Sequence, residues 1–150
     1  MANTYTQIYI HIIFSVKGRE SLIKKEYKKE LQKYITGIVN NKNQKMIEIN
    51  CMPDHIHILI GINPDISISS LVRDIKANSS RFINKMCWVK GKFQWQGGYG
   101  AFSYSRSQIN SVIRYINNQE KHHKVKTFRE EYIEFLEKFN IDYNKKYIFK

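Results

Sequence analysis

From Thr4 to Val16 the chain alternates: Ile8, Ile10, Ile12, Phe14 and Val16 fall in one register, and Gln7, Tyr9, His11 and Ser15 in the other. A period of two is that of a strand with one buried face. Between Lys24 and Asn40 the period changes. Tyr27, Leu31, Tyr34, Ile35 and Ile38 recur at helical spacing opposite a face of lysines and glutamates, and Asn40-Asn41-Lys42-Asn43 stops the helix. A second strand is predicted over Met46 to Cys51, with Ile47, Ile49 and Cys51 on one side, and Pro53-Asp54 turns the chain into a third strand beginning at His55. A second helix follows from about Ser67 on a stripe of Ile68, Leu71, Val72, Ile75, Phe82 and Ile83.

Phe93-Gln94-Trp95-Gln96-Gly97-Gly98-Tyr99-Gly100 reads as a fourth strand running into a glycine-rich loop. Ser105 and Gln108 have capping-box spacing and open a third helix, with Ile109, Val112, Ile113 and Ile116 inward. Thr127 and Glu130 form a second such box before a last helix that turns Tyr132, Phe135, Leu136 and Phe139 inward. The basic, aromatic tail from Tyr143 to Lys150 fits a disordered end, a sheet-edge strand or a DNA contact. The order strand, helix, strand, strand, helix, strand predicts an α+β fold. The expected form is a ferredoxin-like sandwich over residues 1–150 as one domain: an antiparallel sheet with helices on one face, plus C-terminal helices. The other face of that sheet would carry the histidines and stay free for a ligand or a dimer partner.

Charge sharpens the picture. Lys and Arg number 25 against 13 Asp and Glu, a net charge of +12, so a polyanion is the expected partner. Nucleic acid is favoured over a membrane surface, because no helix joins a continuous basic face to an exposed aromatic one. No apolar run approaches the roughly 20 residues that span a bilayer and nothing resembles a signal peptide, which makes a cytoplasmic location the expectation. Cys51 and Cys87 lack CxxC spacing and read as reduced thiols. Candidate phosphate contacts are Lys17 and Arg19 after the first strand, and Arg73 and Lys76, with Arg81, on the second helix; a solvated face is the other reading. Trp95, Tyr99, Phe102 and Tyr104 could stack on unpaired bases or form core.

The candidate chemistry lies in His55-Ile56-His57. Alternation along a strand projects both imidazoles to one side, as a pair of metal ligands or as hydrogen-bonding histidines on a half-buried strand. His11 projects to the polar side of its own strand, where it either hydrogen-bonds or contacts DNA. A metal held by two imidazoles and one weakly charged oxygen keeps positions open to polarise a phosphate. Tyr115 can then attack phosphorus, and a phosphotyrosine ester retains the bond energy needed to rejoin a strand. Gln119, four residues on, would share a helical turn with Tyr115 and supply the third ligand; His122 or His123 are the alternatives, since imidazole suits transition metals.

Taken in order, several motifs resemble the single-tyrosine transposases of the HUH superfamily. They are His11-Ile12-Ile13-Phe14 with Lys17 and Arg19, Met52-Pro53-Asp54-His55-Ile56-His57, Trp95-Gln96-Gly97-Gly98-Tyr99-Gly100, and Tyr115-Ile116-Asn117-Asn118-Gln119 followed by His122-His123 and Glu130. The resemblance implies a single-stranded DNA endonuclease and strand transferase in which His55, His57 and Gln119 hold Mg or Mn. Tyr115 would then form a 5′-phosphotyrosine and leave a free 3′-OH. It also implies recognition of hairpins near the ends of an insertion sequence by a homodimer in which the tyrosine helix can serve the partner's metal site. Rival readings are a domesticated relative acting on repeated hairpins, a replication or conjugation nickase, a non-catalytic nucleic-acid-binding module, and a zinc hydrolase using His55, His57 and His122 or His123.

Overall fold

The computed structural model describes residues 3–148. Four strands, β1 (Tyr9–Ser15), β2 (Lys45–Cys51), β3 (His55–Gly61) and β4 (Gly100–Tyr104), form one antiparallel sheet in the order β2-β3-β1-β4. In the central pair Ile13 lies opposite His57, Ser15 opposite His55 and His11 opposite Leu59. Opposed residues share a face. That register therefore gathers all three histidines of β1 and β3 on one side of the sheet.

The other side is an apolar core, as the alternation predicts. α1 (Lys28–Asn41) contributes Leu31, Ile35 and Val39, and α2 (Ile68–Lys85) contributes Leu71, Val72, Ile75 and Ile83, against Ile12, Phe14, Ile56, Ile58 and Ile60 of the sheet. Ser67 caps α2 by accepting from the Ser70 backbone N–H. Asn43, with φ of 61°, turns the chain out of α1, which ends within the asparagine cluster.

The histidine side is not free. α3 (Ile109–Asn117), α4 (Gln119–His122) and α5 (Phe128–Lys138) roof it, so helices cover both faces of the sheet. Ile109, Val112 and Ile116 of α3 pack on Leu59, while Phe128, Tyr132, Phe135 and Leu136 of α5 pack on Ile13 and Phe102. The physical reason is in the sheet: Ile13 and Leu59 stand among the histidines, and these two aliphatic side chains need cover from water. Both capping boxes form, Ser105 with Gln108 and Thr127 with Glu130; the first opens a single 3-10 turn that leads into α3.

Three further expectations are corrected. Ile47 does not share a face with Ile49 and Cys51, because a β-bulge between Met46 and Glu48 rotates it towards α3. The fourth strand is Gly100–Tyr104 rather than the segment before it. Trp95 makes one bridge, to Val16; its indole N–H donates to Ser79 Oγ at 2.9 Å, and with Phe93 it is built into the apolar core. Tyr115 and Gln119 do not share one continuous helix, because Asn118 departs from helical geometry (φ −94°, ψ 20°) between α3 and α4.

Gly100 is where α5 docks. A Cβ there would meet the Phe102 ring at 3.0 Å and Tyr132 at 3.3 Å. Of the tail, Tyr143 packs at the edge of the α5 cluster and its hydroxyl donates to Glu137 Oε1 at 3.1 Å; residues 149 and 150 lie outside the described residues. Among the described residues no helix is long and apolar enough to cross a membrane.

Candidate metal and tyrosine site

Alternation along β3 delivers His55 and His57 to the roofed face, and both are enclosed, at 1% and 0% exposure. Their outward nitrogens meet side chains from the C-terminal helices. His57 Nε2 lies 3.1 Å from Glu131 Oε1, His55 Nε2 lies 3.8 Å from the same oxygen, and His123 Nε2 lies 3.3 Å from it. Gln119 Oε1 adds a further oxygen, 3.4 Å from His55 Nε2 and 3.0 Å from His123 Nε2. The ligating atoms of His55, His57, His123 and Glu131 all fall within 4.8 Å of one another. Three imidazoles, a carboxylate and an amide oxygen thus converge on one point.

Behind this set lies a supporting layer. His55 Nδ1 is 2.7 Å from Asp54 Oδ1, and His57 Nδ1 is 2.9 Å from His11 Nε2. Partners of this kind fix ring orientation and tautomer, leaving the opposite nitrogen to ligate. For His57 Nε2 to ligate, the ring proton sits on Nδ1 and is donated to His11. His11 then carries its own proton on Nδ1, a buried atom without a hydrogen-bond partner among the described residues. His11 is fully buried and stacks on His57 with centroids 5.1 Å apart, so in this arrangement it supports a candidate ligand and offers nothing to a DNA surface.

Electrostatics suit cation binding. Burial lowers the pKa of His57 against the opposing pull of Glu131, and burial together with the His57 charge lowers that of His11, so both are neutral near pH 7. In the metal-free site the His57 ring proton is on Nε2, facing Glu131; burial acts to raise the Glu131 carboxyl, but hydrogen bonds from His123, His57 and Tyr115 outweigh it and hold the group far below the usual carboxylate range. Burial likewise opposes charge on His123, yet Glu131 outweighs it and raises that pKa. Asp54 is held low by His55 despite burial. A neutral His57 beside an ionised Glu131 suits a divalent cation, which on binding would displace the proton that Glu131 favours on His123. The donor set therefore fits one.

Tyr115 is half-buried on α3, and its hydroxyl donates to Glu131 Oε2. Gln119 Nε2 donates to the Tyr115 carbonyl at 3.2 Å, bridging the break at Asn118. Burial, then the Glu131 charge, push the phenol pKa well up from its ordinary value. A pocket of about 220 Å³ lined by Tyr104, Tyr115, Glu131, Glu134, Phe135 and Lys138 opens onto the pair. His122, exposed, lays its ring 4.6 Å from that of Tyr115 and is not part of the cluster.

The expected DNA contacts fall elsewhere. Lys17, Arg73 and Lys76 come together in a groove of about 720 Å³ with Arg81, Lys92 and Trp95; Arg19 is exposed but does not line it. Lys76 is committed to the fold: its ammonium donates to the Gln96 carbonyl at 2.9 Å and to that of Gly98, and burial pushes its pKa down to about 8. Trp95 and Phe102 are core, while Tyr99 and Tyr104 are partly exposed.

Sequence reasoning missed Glu131 and left His123 as an alternative. The signal for Glu131 was present: it shares the helical stripe of Phe128, Tyr132 and Phe135, an acid at a core position. Asp54, a turn residue by sequence, stands directly before His55, and that place sets up the part-buried carboxylate–histidine contact.

A sheet whose histidine face meets a tyrosine helix defines the HUH class with one tyrosine. The chain belongs to the IS200-like transposase family: the model described as "Transposase IS200 like" matches residues 4–119. The transposase for insertion sequence IS200 of Salmonella typhimurium LT2 is 27% identical over 105 residues, covering 62% of this chain and 69% of that protein. The ISDra2 transposase TnpA of Deinococcus radiodurans is 25% identical over 120 residues, covering 75% and 84%. Two solved structures share the fold. A Deinococcus radiodurans R1 protein assigned as a transposase aligns with a TM-score of 0.63 at 22% identity, covering 79% of this chain and 95% of that one. A REP-associated tyrosine transposase bound to a REP hairpin aligns with a TM-score of 0.60 at 17% identity, covering 82% and 73%.

Proposed function

We propose that residues 1–150 work as one ferredoxin-like domain, a cytoplasmic metal-dependent endonuclease and strand transferase for single-stranded DNA at the hairpin-bearing ends of an insertion sequence. The observation that carries this reading is the meeting of the Tyr115 hydroxyl with a buried donor set formed by His55, His57, His123, Glu131 and Gln119. The sheet order β2-β3-β1-β4 supports the ferredoxin-like description, and relatives named as transposases, one fold neighbour holding a hairpin, support the substrate.

His55, His57 and Gln119 would hold Mg or Mn, with His123 and Glu131 adding to the set. Such an ion, when bound, polarises the scissile phosphate. The residues of the chain do the rest. The Tyr115 oxygen bonds to phosphorus, the bond from phosphorus to the 3′ oxygen breaks, the phenolic proton leaves and the 3′ oxygen takes one up. The product is a 5′-phosphotyrosine and a free 3′-OH. The pocket between Tyr104 and Phe135 is the route by which a strand reaches Tyr115. The Lys17 and Arg73 groove supplies phosphate contacts. The break at Asn118 is compatible with a homodimer that exchanges its tyrosine helix.

Labelled single-stranded oligonucleotides from the flanks of the reading frame, incubated with Mg or Mn, test the proposal. A denaturation-resistant protein–DNA band that requires metal and is absent from Tyr115→Phe and His57→Ala is expected. Three imidazoles are also a zinc-type donor set, and metal-dependent cleavage surviving Tyr115→Phe would favour a metal-activated water. Binding without cleavage of any flank would leave a binding module.

A further inference from the structure

We propose that Glu131 couples the metal centre to the nucleophile, one carboxylate oxygen belonging to the donor set while the other positions Tyr115. The inference rests on the metal reading above and goes beyond it by assigning the carboxylate two simultaneous partners. Glu131 Oε1 faces His57 Nε2 at 3.1 Å and His123 Nε2 at 3.3 Å, while Oε2 accepts the Tyr115 hydroxyl. The residue is 2% exposed. A buried carboxylate is costly unless its oxygens are satisfied, and among the described residues the side chains that satisfy this one all belong to the site. It makes no ion pair with a lysine or arginine among the described residues, as a merely structural buried acid commonly would.

The fold fixes the carboxylate from outside the matched family span, which ends at residue 119. The Thr127 and Glu130 capping box sets the start of α5, and Phe128, Tyr132, Phe135 and Leu136 anchor that helix on Ile13 and Phe102. Glu131 lies within this anchored face. Its two oxygens therefore have little freedom to serve the imidazoles and the phenol independently.

The consequence is thermodynamic. If the phenol holds the carboxylate that ligates the ion, removing the phenol hydroxyl weakens metal binding although it is not a ligand; by linkage, metal binding orders the tyrosine. Partners behind a metal ligand are typically worth about 10–100-fold in affinity.

The test is Mn²⁺ affinity in the absence of DNA, measured by the electron paramagnetic resonance of free Mn²⁺, for wild type, Tyr115→Phe, Glu131→Gln, the double variant and His57→Ala. The proposal expects His57→Ala to lose binding, and Glu131→Gln and Tyr115→Phe each to weaken it at least about tenfold. It also expects Tyr115→Phe to have no further effect once Glu131 is glutamine. Wild-type affinity in Tyr115→Phe overturns the coupling, and because that variant leaves Glu131 intact it decides the matter even if Glu131→Gln folds poorly. An undiminished Tyr115→Phe effect in the Glu131→Gln background overturns it too. Mn²⁺ binding that survives His57→Ala instead overturns the metal reading beneath it, a pattern the first two results do not produce.

Discussion

The two faces of one sheet are built on opposite principles. Towards α1 and α2 the sheet presents Ile12, Phe14, Ile56, Ile58 and Ile60, all fully buried and apolar. Towards α3, α4 and α5 it presents His11, His55 and His57, which are as completely buried but held by directional contacts, His11 to His57 and the other two to Asp54, Gln119 and Glu131. On the first face stability comes from area removed from water and packing without voids. On the second, buried polar groups persist because they largely satisfy one another, His11 Nδ1 being the exception among the described residues. One face supports the molecule, and the other spends part of that stability on holding a reactive arrangement.

Substitutions should separate the two faces. The largest expected effect is on the polar side: Tyr115→Phe should abolish the covalent DNA adduct while leaving the far-ultraviolet circular dichroism spectrum unchanged. On the apolar side, Ile58→Ala should cost about 2–5 kcal/mol in denaturant unfolding yet leave the adduct rate intact at temperatures where the variant is folded. His11→Phe keeps a ring but removes the nitrogen facing His57 Nδ1 at 2.9 Å. It should reduce Mn²⁺ affinity by about 10–100-fold, read by titration.

Acid should also distinguish the faces, because only one titrates. His11 and His57 lie below the ordinary imidazole value of 6.5, so as pH falls through that value the unfolded chain takes up protons the folded chain does not. His123, raised by Glu131, acts in the opposite direction, but it is one half-buried group against two enclosed ones. Stability of the metal-free protein should therefore fall on going from pH 7.5 to about 5.5, seen as a lower urea midpoint. It should fall again below 4.5, the ordinary carboxylate value, as the unfolded chain protonates Glu131 before the folded one does. The smallest effect belongs to the basic groove. Arg73→Ala should lower the salt slope of DNA binding by about 1 without changing the adduct rate at saturating DNA.

The apolar face was legible in the sequence because alternation in β1 and helical spacing in α1 and α2 each report burial directly. The polar face was legible only in part. His55-Ile56-His57 and the spacing of Tyr115 to Gln119 pointed to the chemistry, but the helical periodicity of Tyr132, Phe135 and Leu136 said that α5 packs without saying on which surface. Ile13 and Leu59, aliphatic residues in the histidine register, were the sign that this surface is covered. Glu131 escaped because an acid inside an apolar stripe looks like an exception until the imidazoles that satisfy it are brought to it by tertiary structure. The displaced fourth strand has a similar cause: Trp95 and Phe93 have strand-like composition, but the indole contact with Ser79 and the core packing decide their place.

The most direct test of the account is to find where the DNA becomes attached. Wild-type protein trapped with a flank oligonucleotide in Mn²⁺ would be digested with trypsin and nuclease, and the residual nucleotide located by mass spectrometry. The account predicts a phosphotyrosyl nucleotide on the peptide that follows Arg114 and begins with Tyr115. A nucleotide on any other tyrosine, or cleavage that leaves a free 5′-phosphate and unmodified protein, would contradict it.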